Sequence, residues 1–220
     1  MRSLRTIVSV LLVCLPILGM GQRRVEFDGI LLGQDYKTFT RQLKARGFTA
    51  HLERNGEDDF FYGVCKEGFF VGKYDGNAAA VLVRASKKTN TVFSVEVNLR
   101  EFIDEAEAME EAKRLVADNA ARVPVCETGS GGMNISMIDM PGGKRHVTRY
   151  MCYPVESLRL RFYESQQKVA ARDSYGNAYF SVCQNPLGHE YIIHISYYDR
   201  AAARIAEDES GKDFSWRNAE

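Results

Sequence analysis

The sequence predicts an α+β fold, two helices packed on antiparallel β-sheet with the helix-then-strands order repeated twice. Two segments, 35–46 and 104–122, carry apolar residues at helical spacing, and each is followed by short runs rich in aromatic and β-branched residues. Turn-length connections containing Gly, Pro or Asn separate the runs, whereas parallel strands would need crossovers of a dozen residues or more. The expected organisation is a signal peptide over 1–21, a single domain over 22–200 divisible into halves 22–100 and 101–200, and a polar C-terminal tail over 201–220.

The signal is read from Arg2 and Arg5, the uncharged apolar run Thr6 to Leu18, and the small-residue pattern Gly19-Met20-Gly21 ahead of Gln22. The run is shorter than the ~20 residues a spanning helix needs, and Pro16 interrupts it, which argues against a permanent membrane anchor. Cys14 is not a lipid-attachment site, because Val13 precedes it where Gly, Ala or Ser is required. The expected location is periplasmic or extracellular.

Phe27 to Gly33 reads as a short extended lead-in. Asp35 can cap a helix on which Tyr36, Phe39 and Leu43 recur at i, i+3 and i+7; Gly47 stands where a left-handed residue closes it, and Phe48 folds back on the last turn. Glu53 to Asp59 reads as a solvated loop. Strands are predicted at Phe60 to Cys65, Phe69 to Tyr74, Ala79 to Ala85 and Thr91 to Leu99, with Ser86 to Asn90 as a hairpin loop. In the last strand Phe93, Val95, Val97 and Leu99 alternate with Ser94, Glu96 and Asn98, the pattern of a sheet with one dry and one wet face.

The second half opens with a helix from Asp104 to Arg122, acidic at its start and carrying Met109, Ala112, Leu115, Val116 and Ala120 on one side; Pro124 ends it. Gly129 to Gly132 reads as a flexible connection. Asn134 to Met140 and His146 to Tyr153 flank the turn Pro141-Gly142-Gly143, and Leu158 to Phe162 alternates. Ala178 to Cys183 and Glu190 to Tyr198 flank a turn at Asn185 to Gly188, and the second of them sets Tyr191, Ile193, Ile195 and Tyr197 on one face. The tail begins as a short helix through Ile205, then turns polar with a mobile end.

Cleavage takes Arg2 and Arg5 from the 29 basic residues, leaving 27 against 29 acidic ones and a net charge of −2. The longest basic clusters are Arg23-Arg24 and Lys87-Lys88, too little for phosphate backbones or anionic membranes, so nucleic acid is not an expected partner. With Cys14 in the signal, Cys65, Cys126, Cys152 and Cys183 remain as candidate disulfide cysteines. An oxidising compartment permits bridges and the pairing is open, but the irregular spacing is unlike a cysteine-framework fold, and free Cys is also a common small core residue.

Each candidate chemical site has a plainer reading beside it. His189-Glu190 with His194 resembles a zinc-protease motif with one residue too many, and a five-residue separation along a strand sends two side chains to opposite faces. His51 and His146 are the other histidines, and no close cysteine pair joins them, so no metal site is expected. Gly129 to Gly132 lacks the Lys-Ser or Lys-Thr and the helix start of a phosphate loop. Cys152 and Cys183 fall on strands, where packing or a bridge outweighs nucleophilic duty. Arg149, Arg159 and Arg161, or Tyr191, Tyr197 and Tyr198, could build a recognition surface on a sheet face, although strand alternation alone accounts for the arginines as a wet face. Trp216, the only tryptophan, docks the tail or meets a partner. No catalytic, cofactor or metal residue is assigned.

Phe27-Asp28-Gly29-Ile30, the helix end Leu43-Lys44-Ala45-Arg46-Gly47-Phe48, the segment Phe70-Val71-Gly72-Lys73-Tyr74 and the alternating strand around Val95 resemble a family of uncharacterised exported α+β proteins of anaerobic, Bacteroides-type Gram-negative bacteria. The resemblance covers Phe27 to Leu99 and implies an envelope or secreted location and an α+β fold, with no activity to carry over. In element order alone the chain is similar to β-lactamase-inhibitor-protein-like modules and small outer-membrane assembly lipoproteins, which implies a protein-binding role by analogy of fold.

The expected function is a non-enzymatic module that binds an envelope or extracellular protein through an exposed sheet face or a helix–sheet groove. The alternative is a small periplasmic hydrolase whose site is assembled from distant residues, and a mainly structural envelope protein is a third reading. A pocket holding His146, His189 or His194 beside a Ser, Cys or carboxylate would favour the enzyme.

Overall fold

The computed structural model describes residues 24–54, 65–123, 125–130, 136–141, 147–152, 154–163, 174–185 and 188–211. The readings of the signal peptide, of Asn55 to Val64, of Pro124, of Gly131 to Ile135, of Gly142 to His146 and of Trp216 lie outside these residues.

The described chain begins with a hairpin, β1 (Glu26–Phe27) and β2 (Ile30–Leu31). Asp28 and Gly29 between them have φ of 49° and 69°, the two positive values of the tight turn whose twist matches paired strands. The expected straight lead-in therefore folds back on itself, which buries Phe27 and Ile30 and leaves Glu26 and Leu31 facing out.

Helix α1 (Tyr36–Ala45) forms as its sequence directs. The Asp35 carboxylate accepts the N–H groups of Lys37 and Thr38 at 3.0 and 3.2 Å, satisfying donors that the first turn leaves unpaired. At the other end Gly47 adopts φ 89°, and the Phe48 N–H donates back to the Leu43 carbonyl at 3.3 Å. The buried face is Tyr36, Phe39, Thr40 and Leu43.

Next come β3 (Thr49–Arg54), β4 (Cys65–Tyr74), β5 (Asn77–Ser86), β6 (Val92–Phe102) and helix α2 (Glu105–Arg122). They are followed by β7 (Cys126–Ser130), β8 (Ser136–Pro141), β9 (Val147–Cys152), β10 (Pro154–Phe162), β11 (Gly176–Gln184), β12 (Tyr191–Asp199) and α3 (Arg200–Ser210). Eight strands make one antiparallel sheet in the order β3-β4-β5-β6-β12-β11-β10-β7, and β8 and β9 form a separate hairpin.

This architecture corrects the expected two helices over a repeated helix-then-strands order. The two series of strands do not build repeated units, because β6 pairs with β12 and fuses them into one sheet. The pairing aligns Val95, Val97 and Leu99 with Tyr197, Ile195 and Ile193, so it satisfies two backbone edges and makes one continuous apolar face. A third helix, α3, is present as well. Two connections are also corrected: Glu53 and Arg54 end strand β3, and Gly129 and Ser130 belong to edge strand β7, in register with Arg159 and Leu158 of β10.

Hairpin β1–β2, α1 and α2 cover the first face of the sheet and enclose the main core with Phe70, Val97, Phe180 and Ile195. Gly72 of β4 lets α1 and its exit approach closely, since a Cβ there would lie 2.6 Å from Phe48 Cδ1. The second face is covered too. Ala202, Ala203 and Ala206 of α3 pack on Cys65, Phe93 and Tyr198, β8 packs over β5 and β6, and Cys152 of β9 packs on Cys183 and Ile192. The predicted wet face of β6 is consequently interior, with Ser94, Glu96 and Asn98 only 0%, 7% and 3% exposed. Alternation reported polarity, and a second layer decided exposure.

The helix expected at the start of the tail is longer than its sequence pattern suggests. Helix α3 continues past Ile205 to Ser210 and is closed by Gly211 at φ 66°. Its Glu209 carboxylate accepts the N–H groups of Lys88 and Thr89 at 2.8 and 3.0 Å, tying the helix to the β5–β6 loop. Among the described residues no helix is long and apolar enough to cross a membrane.

Two outcomes follow from this packing. Gly72→Ala should cost about 1–3 kcal/mol in urea unfolding, because Phe48 is held by its own backbone and cannot withdraw. Burial raises the Asp199 carboxyl above its ordinary value of 3.8, against backbone hydrogen bonds that include the N–H of Ala202 at 2.9 Å. An acid whose folded pKa is raised binds more protons in the native state within that window, so its ionisation removes stability as pH climbs through it. Asp199→Asn keeps a cap acceptor without the charge, and stability measured against pH should lose the fall that begins above 3.8. Asp199→Ala should instead lose about 1 kcal/mol of capping at every pH.

Candidate functional site

A concavity of about 310 Å³ lies between hairpin β1–β2 and the C-terminal end of α2. Its lining includes Arg24, Leu31, Asn119, Arg122, Phe162 and Tyr175, with the carboxylates of Glu26 and Asp28 at the hairpin. The hairpin turn aims Leu31 outward, 40% exposed, at the rim. Phe162 and Tyr175 stack with ring centres 5.9 Å apart and form an aromatic wall. Asn119 is fixed from both sides, since its Nδ2 donates to the Leu115 carbonyl at 2.8 Å and its Oδ1 accepts the Tyr197 hydroxyl at 3.1 Å.

The electrostatics of the groove come from its rim. Arg24 donates to the Gly33 carbonyl at 2.7 Å, and the Asp28 carboxylate faces Arg46 at 3.3 Å. Arg122 is exposed in the last turn of α2, where a cation also complements the helix dipole. An apolar wall beside exposed guanidinium groups suits an apolar side chain carried by a backbone that presents carbonyl or carboxylate oxygens. Among the described residues the lining holds no His, Ser or Cys.

The groups that a hydrolytic site would need lie elsewhere, in a polar seam on the second face. Arg84 of β5 stands opposite Glu67 of β4 and diagonal to Glu96 of β6. Its Nε donates to Glu67 Oε1 at 2.7 Å and its Nη1 to Glu96 Oε1, with all three side chains buried. Two strands across, His194 is 2% exposed, and its Nδ1 donates to Asn98 Oδ1 at 2.7 Å. Beside it Ser181 and Ser157 share a hydrogen bond of 2.8 Å. His194 is thus a core histidine satisfied by an amide. The sequence held a signal for the seam: Arg84 is a lone charge inside the apolar run of β5, and a buried charge requires partners.

A second, more open concavity of about 610 Å³ is lined by Asp75, Asn77, Glu107, Glu110, Glu111 and Arg114. Arg114 offsets part of its acidity from within. It meets Asp75 and donates to Glu111 and Asp118 at 2.7 Å, and its hydrogen bond holds the Glu111 carboxyl below the ordinary value. Among the described residues no group of three His, Cys, Asp or Glu side chains could hold a metal ion.

The remaining candidates are dispersed. His189 is exposed, His51 packs edge-on against Phe69 at 5.8 Å, and His146 lies outside the described residues. The tyrosine surface does not form, because Tyr197 and Tyr198 are buried on opposite faces and Tyr191 is half-buried with its hydroxyl donating to Glu105 at 3.4 Å. Arg159 and Arg161 are half-buried on the second face near β7, where Arg161 comes within 3.9 Å of Glu127, and Arg149 belongs to the separate β8–β9 hairpin. The four candidate cysteines are not bridged in this structure: Cys65, Cys152 and Cys183 are buried, and Cys126 is half-buried on the edge strand.

Arg84→Met should destabilise the fold by about 3–5 kcal/mol, since it strands two buried carboxylates. Adding Glu67→Gln and Glu96→Gln should restore part of that loss, measured by denaturant unfolding of the single and triple variants.

No protein-family model, curated protein or solved structure matches this chain.

Proposed function

We propose that this chain is an exported, non-catalytic binding module of the cell envelope, and that the groove beside hairpin β1–β2 takes an extended segment of a partner protein. The observation that carries the reading is the groove itself: an aromatic wall, an outward Leu31 and the exposed Arg122 converge on one concavity. With the second face of the sheet covered, a helix–sheet groove is the form of binding surface that the architecture supports. The motif resemblance of Phe27 to Leu99 to exported proteins and the apolar run behind Arg2 and Arg5 support the envelope location. Among the described residues, the hydrolase alternative would draw on the polar seam, whose histidine is 2% exposed and engaged by Asn98.

A photocrosslinking residue at position 31 tests this directly in cells that export the protein. One discrete heavier adduct is expected from position 31 and none from position 41, which lies exposed on α1. Arg122→Glu should reduce the adduct at least tenfold while leaving the thermal midpoint unchanged. Identical patterns from positions 31 and 41, or an adduct indifferent to Arg122→Glu, would overturn the proposal. The exported form should begin at Gln22 by mass, and an intact Arg2 to Gly21 segment would overturn the location.

A further inference from the structure

The strand order decides which cysteines can meet. Cys65 on β4 and Cys126 on β7 are separated by six strand spacings, about 29 Å at ~4.8 Å per strand. Cys65 is four spacings, about 19 Å, from Cys183 on β11. Cys126 is in register with Phe162 and packs on the first-face core, whereas Cys183 packs on the second face. A disulfide needs Cα atoms within about 7 Å, so none of these combinations can close.

Cys152 and Cys183 are different. Both are buried and, with Ile192, make a small cluster of their own apart from the main core. Cys183 is the register partner of Pro154, two residues beyond Cys152, where the chain passes from β9 into β10. Their side chains pack together in that cluster. The position is also mechanically distinctive, because among the described residues β8 and β9 share no ladder with the eight-stranded sheet, and Cys152 packs against it.

We propose that Cys152 and Cys183 are a disulfide-forming pair that latches hairpin β8–β9 onto the second face of the sheet, while Cys65 and Cys126 remain thiols. The oxidant is a disulfide, R–S–S–R, of the glutathione type or on a thiol oxidoreductase. The Cys152 thiolate attacks one sulfur and expels R–S⁻, giving a mixed disulfide. The Cys183 thiol then gives up its proton and attacks the Cys152 sulfur, expelling the second R–S⁻. The protein loses two electrons and two protons, and the oxidant leaves as two R–SH. The hydrogen bond from Cys183 holds the Cys152 thiol below its ordinary pKa of 9.0 against the effect of burial, which favours Cys152 as the attacking sulfur. This latch is independent of the groove, and either can fail without the other.

The test is non-reducing peptide mapping of the full chain after refolding with oxidised glutathione, with free thiols alkylated under denaturant and the Cys14 peptide mapped separately. A Cys152–Cys183 linked peptide with alkylated Cys65 and Cys126 is expected. The thermal midpoint should rise by several degrees on oxidation in the unaltered protein and in Cys126→Ser, and should not move in Cys183→Ala. A bridge that uses Cys65, Cys126 or Cys14, four alkylated thiols at 65, 126, 152 and 183, or an equal thermal shift in Cys183→Ala would overturn it. Should Cys183→Ala fail to fold, the peptide map of the unaltered protein decides.

Discussion

Pairing of β6 with β12 is the interaction on which the rest of the structure depends. The two strands are far apart in the chain, with Asn98 and His194 96 residues from each other, yet their ladder runs from Ser94 opposite Tyr198 to Phe102 opposite Tyr191. On one side it sets Val95, Val97 and Leu99 beside Tyr197, Ile195 and Ile193, the floor on which α2 and hairpin β1–β2 rest. On the other side it sets Asn98 beside His194 and Glu96 beside Ser196, so the Asn98–His194 part of the polar seam exists only because the two halves of the sequence share a sheet. A contact order of this kind makes folding wait on a long loop closure, and the local hairpins β4–β5 and β11–β12 are the natural early elements.

Tyr197 connects that central ladder to the groove. Its hydroxyl lies 2.9 Å from that of Tyr74 and donates to Asn119 of α2, while its ring packs 5.6 Å from Phe27 of the N-terminal hairpin. Burial pushes the phenol well above its ordinary pKa, so the group is neutral and serves as a hydrogen-bonding strut. Hairpin, helix and sheet therefore meet at one buried side chain, and the groove walls they contribute are preorganised by the core.

The covered second face has a physical cost that its contents reveal. Burying Glu67, Arg84 and Glu96 is tolerated because the guanidinium fork reaches both carboxylates from a central strand, but such clusters contribute specificity of register more readily than net stability. Slipping β5 against β4 by one residue would turn Arg84 to the apolar face and leave Glu67 without it, so the cluster penalises the wrong pairing. Helix α3 complements this on the same face with alanines, whose small side chains let it lie close to the strands.

What the sequence by itself determined were the features whose causes lie within a few residues. Asp35 and Asp104 cap their helices, Gly47 closes α1, β6 and β12 alternate, and the turn at Asn185 returns its N–H to the Glu190 carbonyl at 2.8 Å. What only the tertiary structure decided were contacts between faces far apart in the chain. These include the fusion of two strand series into one sheet, the burial of the predicted wet face, the juxtaposition of Cys152 with Cys183, and the groove between β2 and α2. The physical reason is that a period of two or of 3.6 marks which side of an element is apolar without naming what covers the other side. Asn98 and His194, 96 residues apart, look like two solvated polar residues until the strands that carry them are paired.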